Sequence, residues 1–540
     1  MRHGIDRGSP HRNWLTRAKK AILTFGKFVG PGFMVAVAYI DPGNYATDVA
    51  AGASYQFRLL FIVLLSNIFA IFLQSLSIKL GTVSGLNLAE ACRAFLPRWL
   101  NYFLYGMAEA AIIATDIAEV IGTAIALNLL IPQIPLVAGC ALSILEVMVI
   151  LFFYRPNGTM QGLRAFEIFV MLLVLVVVIC FCIQLSLIRN TSPGEVFRGY
   201  LPSRALVEQT ALYQACGILG ATVMPHSLYL GSGIVQSRLY DYDAKAGLLP
   251  PTPPAVSPAP STVNGSDAAD YRKEYIPSLA AIQHSLKYSV AELALSLFTF
   301  ALFVNSAILI VAGASLYSVP GTGLEADLFG IHDLLSSSIA PVAGTVFALA
   351  LLFSGISAGI VCTIAGQMVS EGALRWSLRP WLRRLVTRSI SIAPSIVIAA
   401  AVGREGLDAA LNASQVALSV ALPFVSAPLI WFTSGERYMR VRTGMARYGG
   451  HYGTMCRESG RGGRSDDADG EARQTARTGL WGRIKGLLGF EMGQRGSASD
   501  GDHEVVRMAN SWLVASFGVV VWLVIAVMNV ANLVLLGKGS

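Results

Sequence analysis

Long apolar runs alternate with short polar segments along almost the whole chain. Eleven of these runs are close to the length of about 20 residues that a helix needs to cross a bilayer. Helices are expected because backbone polar groups in lipid must be satisfied within their own segment. The eleven predicted spans are residues 29–52, 59–82, 103–130, 134–154, 166–188, 208–235, 285–317, 341–370, 386–403, 413–433 and 509–536.

Two of the apolar runs are interrupted by proline beside polar residues. The first run contains Asp-Pro-Gly-Asn at 41–44 and the sixth contains Met-Pro-His at 224–226. Proline lacks a backbone donor and clashes with the carbonyl four residues earlier, so Pro225 leaves the Ala221 carbonyl without its helical partner. Paired interruptions at corresponding places in two halves are typical of inverted-repeat transporters. The alternative is that both prolines are merely structural kinks.

The two interruptions together offer a mixed set of metal ligands. If they face each other, the ligands are the Asp41 carboxylate, the Asn44 amide oxygen, the Ala221 carbonyl and the Met224 thioether. Hard cations such as Ca²⁺ and Mg²⁺ prefer oxygen alone, whereas a thioether favours softer transition metals. The set therefore predicts binding of Mn²⁺, Fe²⁺, Co²⁺, Zn²⁺ or Cd²⁺ as a transported substrate. A carboxylate inside the membrane is itself an indication of function.

The third run carries an acidic stripe. Glu109, Asp116 and Glu119 are spaced by seven and three residues, which places them on one helical face. Such groups are expected to line water or to pair with cations rather than to face lipid. Together with His226, whose charge can change near neutral pH, they suggest a route for protons. A static, fully paired polar network is the alternative.

The distribution of lysine and arginine among the polar segments predicts the orientation. Basic residues concentrate in alternate loops, and the loop at 131–135 has none, so the N-terminus is expected in the cytoplasm. The basic residues before the first run are Arg2, Arg7, Arg12, Arg17, Lys19, Lys20 and Lys27. Near the ninth run, Arg383, Arg384 and Arg388 are candidate counter-charges for the acidic stripe. Flanking positive charge explains these arginines equally well.

Composition restricts the class of protein. Of the 540 residues, 54% are hydrophobic and 14% charged, against roughly 25% charged in soluble domains, and the mean hydropathy is +0.57. The net charge of +8 resides in loops between apolar runs, so no nucleic-acid partner is expected. The sequence has no phosphate-binding loop, nucleophile elbow or zinc-protease motif, which argues against an enzyme.

The apolar runs and the loops between them define five regions. Residues 1–27 form a basic cytoplasmic N-terminus, 28–189 a first repeat, 207–433 a second repeat, 434–507 a cytoplasmic loop, and 508–540 the last helix and C-terminus. Within the second repeat, residues 241–275 include a proline-rich loop. This loop and the 434–507 loop are predicted to be disordered, because they have no apolar period to bury. Trafficking or ubiquitination machinery is the expected partner of these loops.

Several motifs resemble the Nramp family (natural resistance-associated macrophage proteins), which are proton-coupled divalent metal transporters. The resemblance rests on Asp-Pro-Gly-Asn in the first run and Met-Pro-His in the sixth. It extends to ATDIAEVIG at 114–122, SGISAGIVCTIAGQMVSEG at 354–372 and SQVALSVALPF at 414–424. It implies an all-α membrane protein of 11 transmembrane helices, with a LeuT-like inverted 5+5 repeat and discontinuous helices 1 and 6. The two long loops look like those of fungal members.

The resemblance also implies roles for individual residues. The metal ligands would be Asp41, Asn44, the Ala221 carbonyl and Met224, with Gln415 as an additional ligand in some states. The proton-linked residues would be His226, Glu119, Asp116 and Glu109, with Arg383 and Arg384.

The expected function is proton-coupled import of Mn²⁺ or Fe²⁺ into the cytosol by alternating access, without a permanently bound cofactor. The membrane would be the plasma membrane or a vacuolar or endosomal one. The alternatives are a sodium-coupled carrier of organic solutes with the same fold and a metal-sensing receptor.

Overall fold

The computed structural model describes most of the predicted spans and little of the long loops. The described residues are 30–153, 160–188, 191–249, 275–317, 327–338, 340–374, 380–448 and 505–537. The basic N-terminal segment 1–27 lies outside them, as does most of the two loops predicted to be disordered.

The described residues are mainly helical, in an order that follows the predicted runs. The helices before residue 200 are α1 (Pro31–Val37), α2 (Pro42–Tyr55), α3 (Leu60–Ser84), α4 (Leu88–Phe95), α5 (Arg98–Leu130), α6 (Leu136–Phe153), α7 (Met160–Leu187) and α8 (Pro193–Gly199). The later helices are α9 (Gln209–Thr222), α10 (Pro225–Ile234), α11 (Gln236–Lys245), α12 (Leu279–Ser296), α13 (Leu302–Ser315), α14 (Leu328–Ser338), α15 (Pro341–Leu374), α16 (Pro380–Ala401), α17 (Arg404–Ser434) and α18 (Trp512–Gly537). A short 3₁₀ turn occupies Arg204–Val207.

Eight helical segments of the described chain are long and apolar enough to cross a membrane. They are Leu60–Ser84, Arg98–Leu130, Glu167–Leu187, Gln209–Lys245, Leu279–Ser315, Pro341–Leu374, Arg404–Ser434 and Trp512–Gly537. Two shorter apolar helices are Leu136–Leu145 and Leu385–Ala401, and the first predicted span is divided between α1 and α2. Each of the eleven predicted runs therefore contains helix, while the number of crossings remains a prediction.

Both predicted interruptions are breaks between two helices. The first separates α1 from α2, which begins at Pro42 with Asp41 as its N-cap. The second separates α9 from α10, which begins at Pro225 with Met224 as its N-cap. Proline suits the first helical position because the backbone donor that it lacks has no intrahelical partner there. At each break, a proline therefore begins the second helix.

A third irregularity was not predicted. Residues Leu297–Ala301 form a π-helical turn between α12 and α13. Such turns are rare and often occur at functional sites. This one precedes Asn305, a buried amide in the apolar run of α13.

The interior of the bundle relies on close backbone approach around α5, which packs against both α15 and α17. A methyl group at Gly122 of α5 would overlap the ring of Pro42, and one at Gly220 of α9 would overlap the backbone of α17 at Gln415. At the rim, α7 and α18 expose large apolar side chains such as Ile168, at 53%, and Val527, at 63%. These helices are suited to face lipid.

Two small antiparallel ladders order the ends of the long loops. Strand β1 (Tyr275–Ile276) pairs with β3 (Arg447–Tyr448), and β2 (Arg440–Arg442) pairs with β4 (Val505–Arg507). The ranges 241–275 and 434–507 are therefore partly ordered, because α11 continues to Lys245 and strands form at their edges. Residues 250–274 and 449–504 lie outside the described chain.

Five helices start five or more residues earlier than the apolar pattern indicates, namely α5, α7, α12, α16 and α17. Helix α5 begins at Arg98 rather than 103, and α17 begins at Arg404 rather than 413. The first turns of α17 carry polar residues such as Glu405 and Asp408. Hydropathy marks the part of a helix that meets the bilayer core, whereas the helix itself extends into the polar region.

Candidate metal-binding site

The Asp41 carboxylate lies at the first break, where it caps α2. Its Oδ1 accepts from the Asn44 backbone N–H at 2.9 Å and from Asn44 Nδ2 at 2.6 Å. The side chain is fully buried, and among the described residues its Oδ2 has no hydrogen-bond partner. One oxygen is therefore held in place by the helix, while the other is available to a ligand.

The Asn44 side chain joins the two breaks. Its Nδ2 donates to the Ala221 carbonyl at 3.2 Å and to the Tyr39 carbonyl at 3.2 Å, and its Oδ1 accepts from Asn305 at 3.3 Å. The Asp41 carboxylate and the Ala221 carbonyl thus converge on one amide nitrogen. Asp41, Asn44 and Ala221 lie together as predicted from the sequence.

Met224 and Gln415 complete the predicted set of ligands. Met224 is the N-cap of α10 and is fully buried at the second break. Gln415 of α17 places its carboxamide against Gly43, in the first turn of α2, so that a methyl group at Gly43 would overlap it. The Gln415 Nε2 donates to Ser414 at 3.0 Å, and its buried Oε1 has no partner within the described chain.

A second buried cluster lies where α5, α15 and α16 meet. Arg388 donates to Glu119 at 2.9 Å and to Asp116 at 3.3 Å, and all three side chains are fully buried. The Cys362 thiol of α15 lies 3.5 Å from Asp116 Oδ1. The structure places Arg388, a candidate arginine whose side chain it describes, at the stripe. The side chains of Arg383 and Arg384 lie outside the described part.

His226 lies next to the predicted metal ligand Met224 and contacts α5, which carries part of this cluster. It follows the second break directly, and its Nδ1 lies 3.4 Å from Thr115 Oγ1, next to Asp116 in the chain. Glu109 is half-buried and lies two turns earlier on α5, about 10 Å from Asp116 along the axis at 1.5 Å per residue.

A hydrogen-bond network next to the first break was not predicted from the sequence. The Gln74 Nε2 of α3 donates to the Tyr39 hydroxyl at 3.0 Å and to the Ser227 hydroxyl at 2.8 Å. These two hydroxyls lie 3.2 Å apart, so the network ties α3 to both broken helices. The signal that predicts it is a glutamine inside an apolar run, the same kind of anomaly that identified Asp41.

A carboxylate holds the start of α1. The Glu292 Oε1 of α12 accepts from the backbone N–H groups of Gly30 and Gly32 at 2.6 and 3.0 Å. Arg238 of α11 lies 4.0 Å from Glu292 and 3.4 Å from Glu167 of α7. Negative charge at a helix N-terminus is favourable, because it complements the helix dipole.

The family model described as "Natural resistance-associated macrophage protein-like" matches residues 32–446, which include every residue of the candidate site. The chain belongs to the Nramp family. The predicted fold class, an all-α membrane protein with discontinuous first and sixth helices and the LeuT-like arrangement of this family, is confirmed.

Three curated Nramp relatives show how far the likeness extends. The manganese transporter SMF1 of Saccharomyces cerevisiae is 50% identical over 518 residues, covering 95% of this chain and 85% of the relative. The iron transporter SMF3 of the same yeast is 53% identical, covering 77% and 83%. The divalent metal cation transporter MntH of Xanthomonas campestris is 43% identical, covering 76% and 83%.

Solved Nramp structures agree with the fold. Two mutants of the Eremococcus coleocola manganese transporter, one with histidine replaced by alanine and one with glutamate replaced by glutamine, are each 27% identical to this chain. Their TM-scores are 0.62 and 0.63. The first alignment covers 95% of this chain and 94% of that chain, and the second covers 99% and 98%.

Proposed function

We propose that this Nramp protein imports a divalent transition metal ion, Mn²⁺ or Fe²⁺, into the cytosol together with protons. The observation that carries the proposal is the convergence of Asp41, Asn44 and Ala221 at two helix breaks. Curated relatives at about half identity are named manganese and iron transporters, and the mixed oxygen and sulfur donors suit such ions.

The metal ion binds beside the Asn44 amide, whose nitrogen lies between the Asp41 and Ala221 oxygens in this structure. Rotation of this amide by half a turn replaces the nitrogen with Oδ1, so that the three oxygens form one face toward the ion. Which amide atom points where follows from the hydrogen bonds available, so a cation reverses the preference. The Asp41 Oδ2 and the Met224 sulfur supply the remaining donors, and Gln415 reaches the site from α17.

Release of the metal ion into the cytosol requires α1 to move. In this structure the metal-binding residues are fully buried, and the network of Tyr39, Gln74 and Ser227 closes the site below the first break. With the N-terminus in the cytosol, as the loop charges predict, this network and the Glu292 contact lie on the cytosolic side. In alternating access, this network and the Glu292 contact break to open the cytosolic side, while the helices on the outer side of the site stay packed.

Protons move through the second cluster. His226 connects the broken α10 to α5 through Thr115, and Asp116 and Glu119 supply carboxylates that Arg388 holds in place by ion pairs. A resident arginine also prevents a metal ion from entering this cluster. Inward movement of positive charge is favoured by about 2.3 kcal/mol per charge for each 100 mV of membrane potential.

The location and partners follow from the same transport scheme. The protein is a multi-pass carrier in the plasma membrane or in a vacuolar or endosomal membrane, and it needs no permanently bound cofactor. The cytosolic loops are the parts that trafficking or ubiquitination machinery would contact.

The experiment is uptake into proteoliposomes of the full-length protein, with a proton-sensitive dye inside. We expect saturable Mn²⁺ uptake that Fe²⁺ and Cd²⁺ compete for and Ca²⁺ does not, with acidification of the lumen. Asp41→Ala should reduce uptake to the level of empty vesicles. Sodium-dependent amino-acid uptake without metal uptake would contradict the proposal, and metal binding without any uptake would favour a receptor.

A further inference from the structure

A second buried carboxylate lies on α2 beyond the metal-binding residues. Asp48 is one helical turn past Asn44 and is fully buried. Both of its carboxylate oxygens lack a hydrogen-bond partner among the described residues. The proposed transport mechanism gives Asp48 no role, and a buried charge without a partner is strongly unfavourable unless a cation or a proton neutralises it.

Asp48 shares a helical face with Asp41. The two residues are seven apart, which is close to two turns, so they lie about 10 Å apart along the axis of α2. Their negative charges repel each other across this distance. A dication that moves along this face is therefore attracted first to one carboxylate and then to the other.

One oxygen donor from another element lies within electrostatic range of Asp48, and a second oxygen donor lies beside the first. Tyr200, which follows α8, is close enough to interact with the Asp48 charge and with the Ser306 hydroxyl of α13. Burial raises the pKa of Tyr200, the Ser306 contact lowers it, and the Asp48 charge raises it again. The phenol thus remains a neutral oxygen donor at physiological pH. Ser306 is itself buried and directly follows Asn305, which contacts Asn44.

This group lies on the far side of the metal-binding residues from the network of Tyr39, Gln74 and Ser227. Helix α2 runs away from the first break, and in the predicted orientation it runs toward the outside. An ion that enters from the outside therefore passes Asp48 before it reaches Asp41.

We propose that Asp48, with the hydroxyls of Tyr200 and Ser306, forms an outer staging site that holds the incoming divalent metal ion before it reaches Asp41. The inference rests on the proposed import function. The donors are all oxygen, so this site attracts divalent cations without the preference that Met224 provides. Capture at Asp48 is thereby separate from selection, which takes place where Asp41 and Met224 meet.

The first test is Mn²⁺ uptake by the full-length Asp48→Asn variant in proteoliposomes. We expect KM to rise about five- to tenfold, with the maximal rate within twofold of the wild type and unchanged exclusion of Ca²⁺. Asp48→Glu should recover part of the loss because it restores the carboxylate. The matched control is Asp241→Asn, a more exposed aspartate paired with Lys245, which should leave KM unchanged.

The second test separates binding from transport. Mn²⁺ binding to the purified full-length protein is measured by electron paramagnetic resonance for Asp41→Asn and for Asp41→Asn combined with Asp48→Asn. We expect the single variant to retain one weak Mn²⁺ site and the double variant to lose it. Absence of binding in the single variant overturns the proposal, as does a weak site that survives in both.

Three further outcomes show whether Asp48 stages the metal ion, carries protons instead, or belongs to a protein that does not import Mn²⁺. An Asp48→Asn variant with unchanged KM but a shifted pH dependence would make Asp48 a proton carrier and overturn the inference. A wild-type protein that neither binds nor transports Mn²⁺ would refute the import function itself. The remaining result, normal wild-type uptake with an unaffected Asp48→Asn variant, would refute the staging site alone.

Discussion

The Asn44 amide of the first helix break donates a hydrogen bond to the Ala221 carbonyl of the second at 3.2 Å. This contact connects two segments that are far apart in sequence. The same amide nitrogen also donates to the Asp41 carboxylate. Each break leaves backbone groups unpaired that an intact helix would hydrogen-bond within itself. The contact therefore depends on both prolines.

Removing the Asn44 amide should therefore impair binding of the ion. We expect Asn44→Ala to raise KM for Mn²⁺ more than tenfold, because one oxygen ligand is lost and Asp41 loses its side-chain donor. The matched control is Asn101→Ala, since Asn101 is also a buried amide that donates to a carbonyl, that of Ala373, at 3.2 Å. An equal effect of the two substitutions would mean that the loss is only structural.

The Met224 sulfur should determine selectivity rather than activity. In Met224→Ala, the remaining donors are oxygen, which Ca²⁺ accepts as well as Mn²⁺ does. We expect measurable Mn²⁺ uptake and, in competition assays, inhibition by Ca²⁺ that the wild type does not show. Met439→Ala, at an equally buried methionine outside the site, serves as the control. Unchanged exclusion of Ca²⁺ would remove the thioether from the mechanism.

Arg388 should contribute to both stability and proton movement. Arg388→Ala leaves Asp116 and Glu119 buried without this cation, and breaking a buried ion pair costs about 3–5 kcal/mol. We expect a clear fall in Tm, measured by thermal unfolding in detergent. Arg388→Met combined with Glu119→Gln should recover part of the Tm, because it removes charge on both sides.

The same double variant gives a second measurement. If the cluster carries protons, Mn²⁺ uptake by Arg388→Met with Glu119→Gln should proceed without acidification of the vesicle lumen. Acidification equal to that of the wild type would show that this cluster is structural, as the alternative interpretation of the acidic stripe holds.

Close backbone contact at Gly220 should be necessary for the site. A methyl group there would overlap the Gln415 carbonyl oxygen and approach the Ser419 backbone of α17, and α9 would have to shift with its Ala221 carbonyl. We expect Gly220→Ala to reduce Mn²⁺ uptake at least tenfold. Gly106→Ala is the control, because no atom lies within 4 Å of the added methyl group. Equal uptake by both variants would contradict this role of the contact.

The two breaks were predictable because their signals are local. Proline and glycine beside Asp41 and Asn44, inside an apolar run, specify both the interruption and the chemistry at that point. The contact between the breaks was inferred from their matching positions, and the structure bears out the proximity of Asn44 and Ala221. Gln415 has no such local signal, and the family resemblance rather than its position pointed to it.

Other features depend on tertiary packing. Arg388 stands among several arginines near one helix end, and the orientation rule explains their presence without selecting one of them. Asn305 and Gln74 are single amides whose partners lie on distant helices. Asp48 occurs only seven residues after Asp41, but no break accompanies it, and its lack of a partner within the described chain is visible only once the helices are packed.

The Glu292 carboxylate at the start of α1 has a consequence for leakage. One carboxylate holds two backbone amides at the start of α1, those of Gly30 and Gly32, and the arginine beside it is also tied to α7. A small displacement of α1 therefore loosens both bonds and leaves the Glu292 Oε1 without its two backbone donors. A partly displaced α1 is therefore costly, which disfavours leakage of ions before the helix has moved fully.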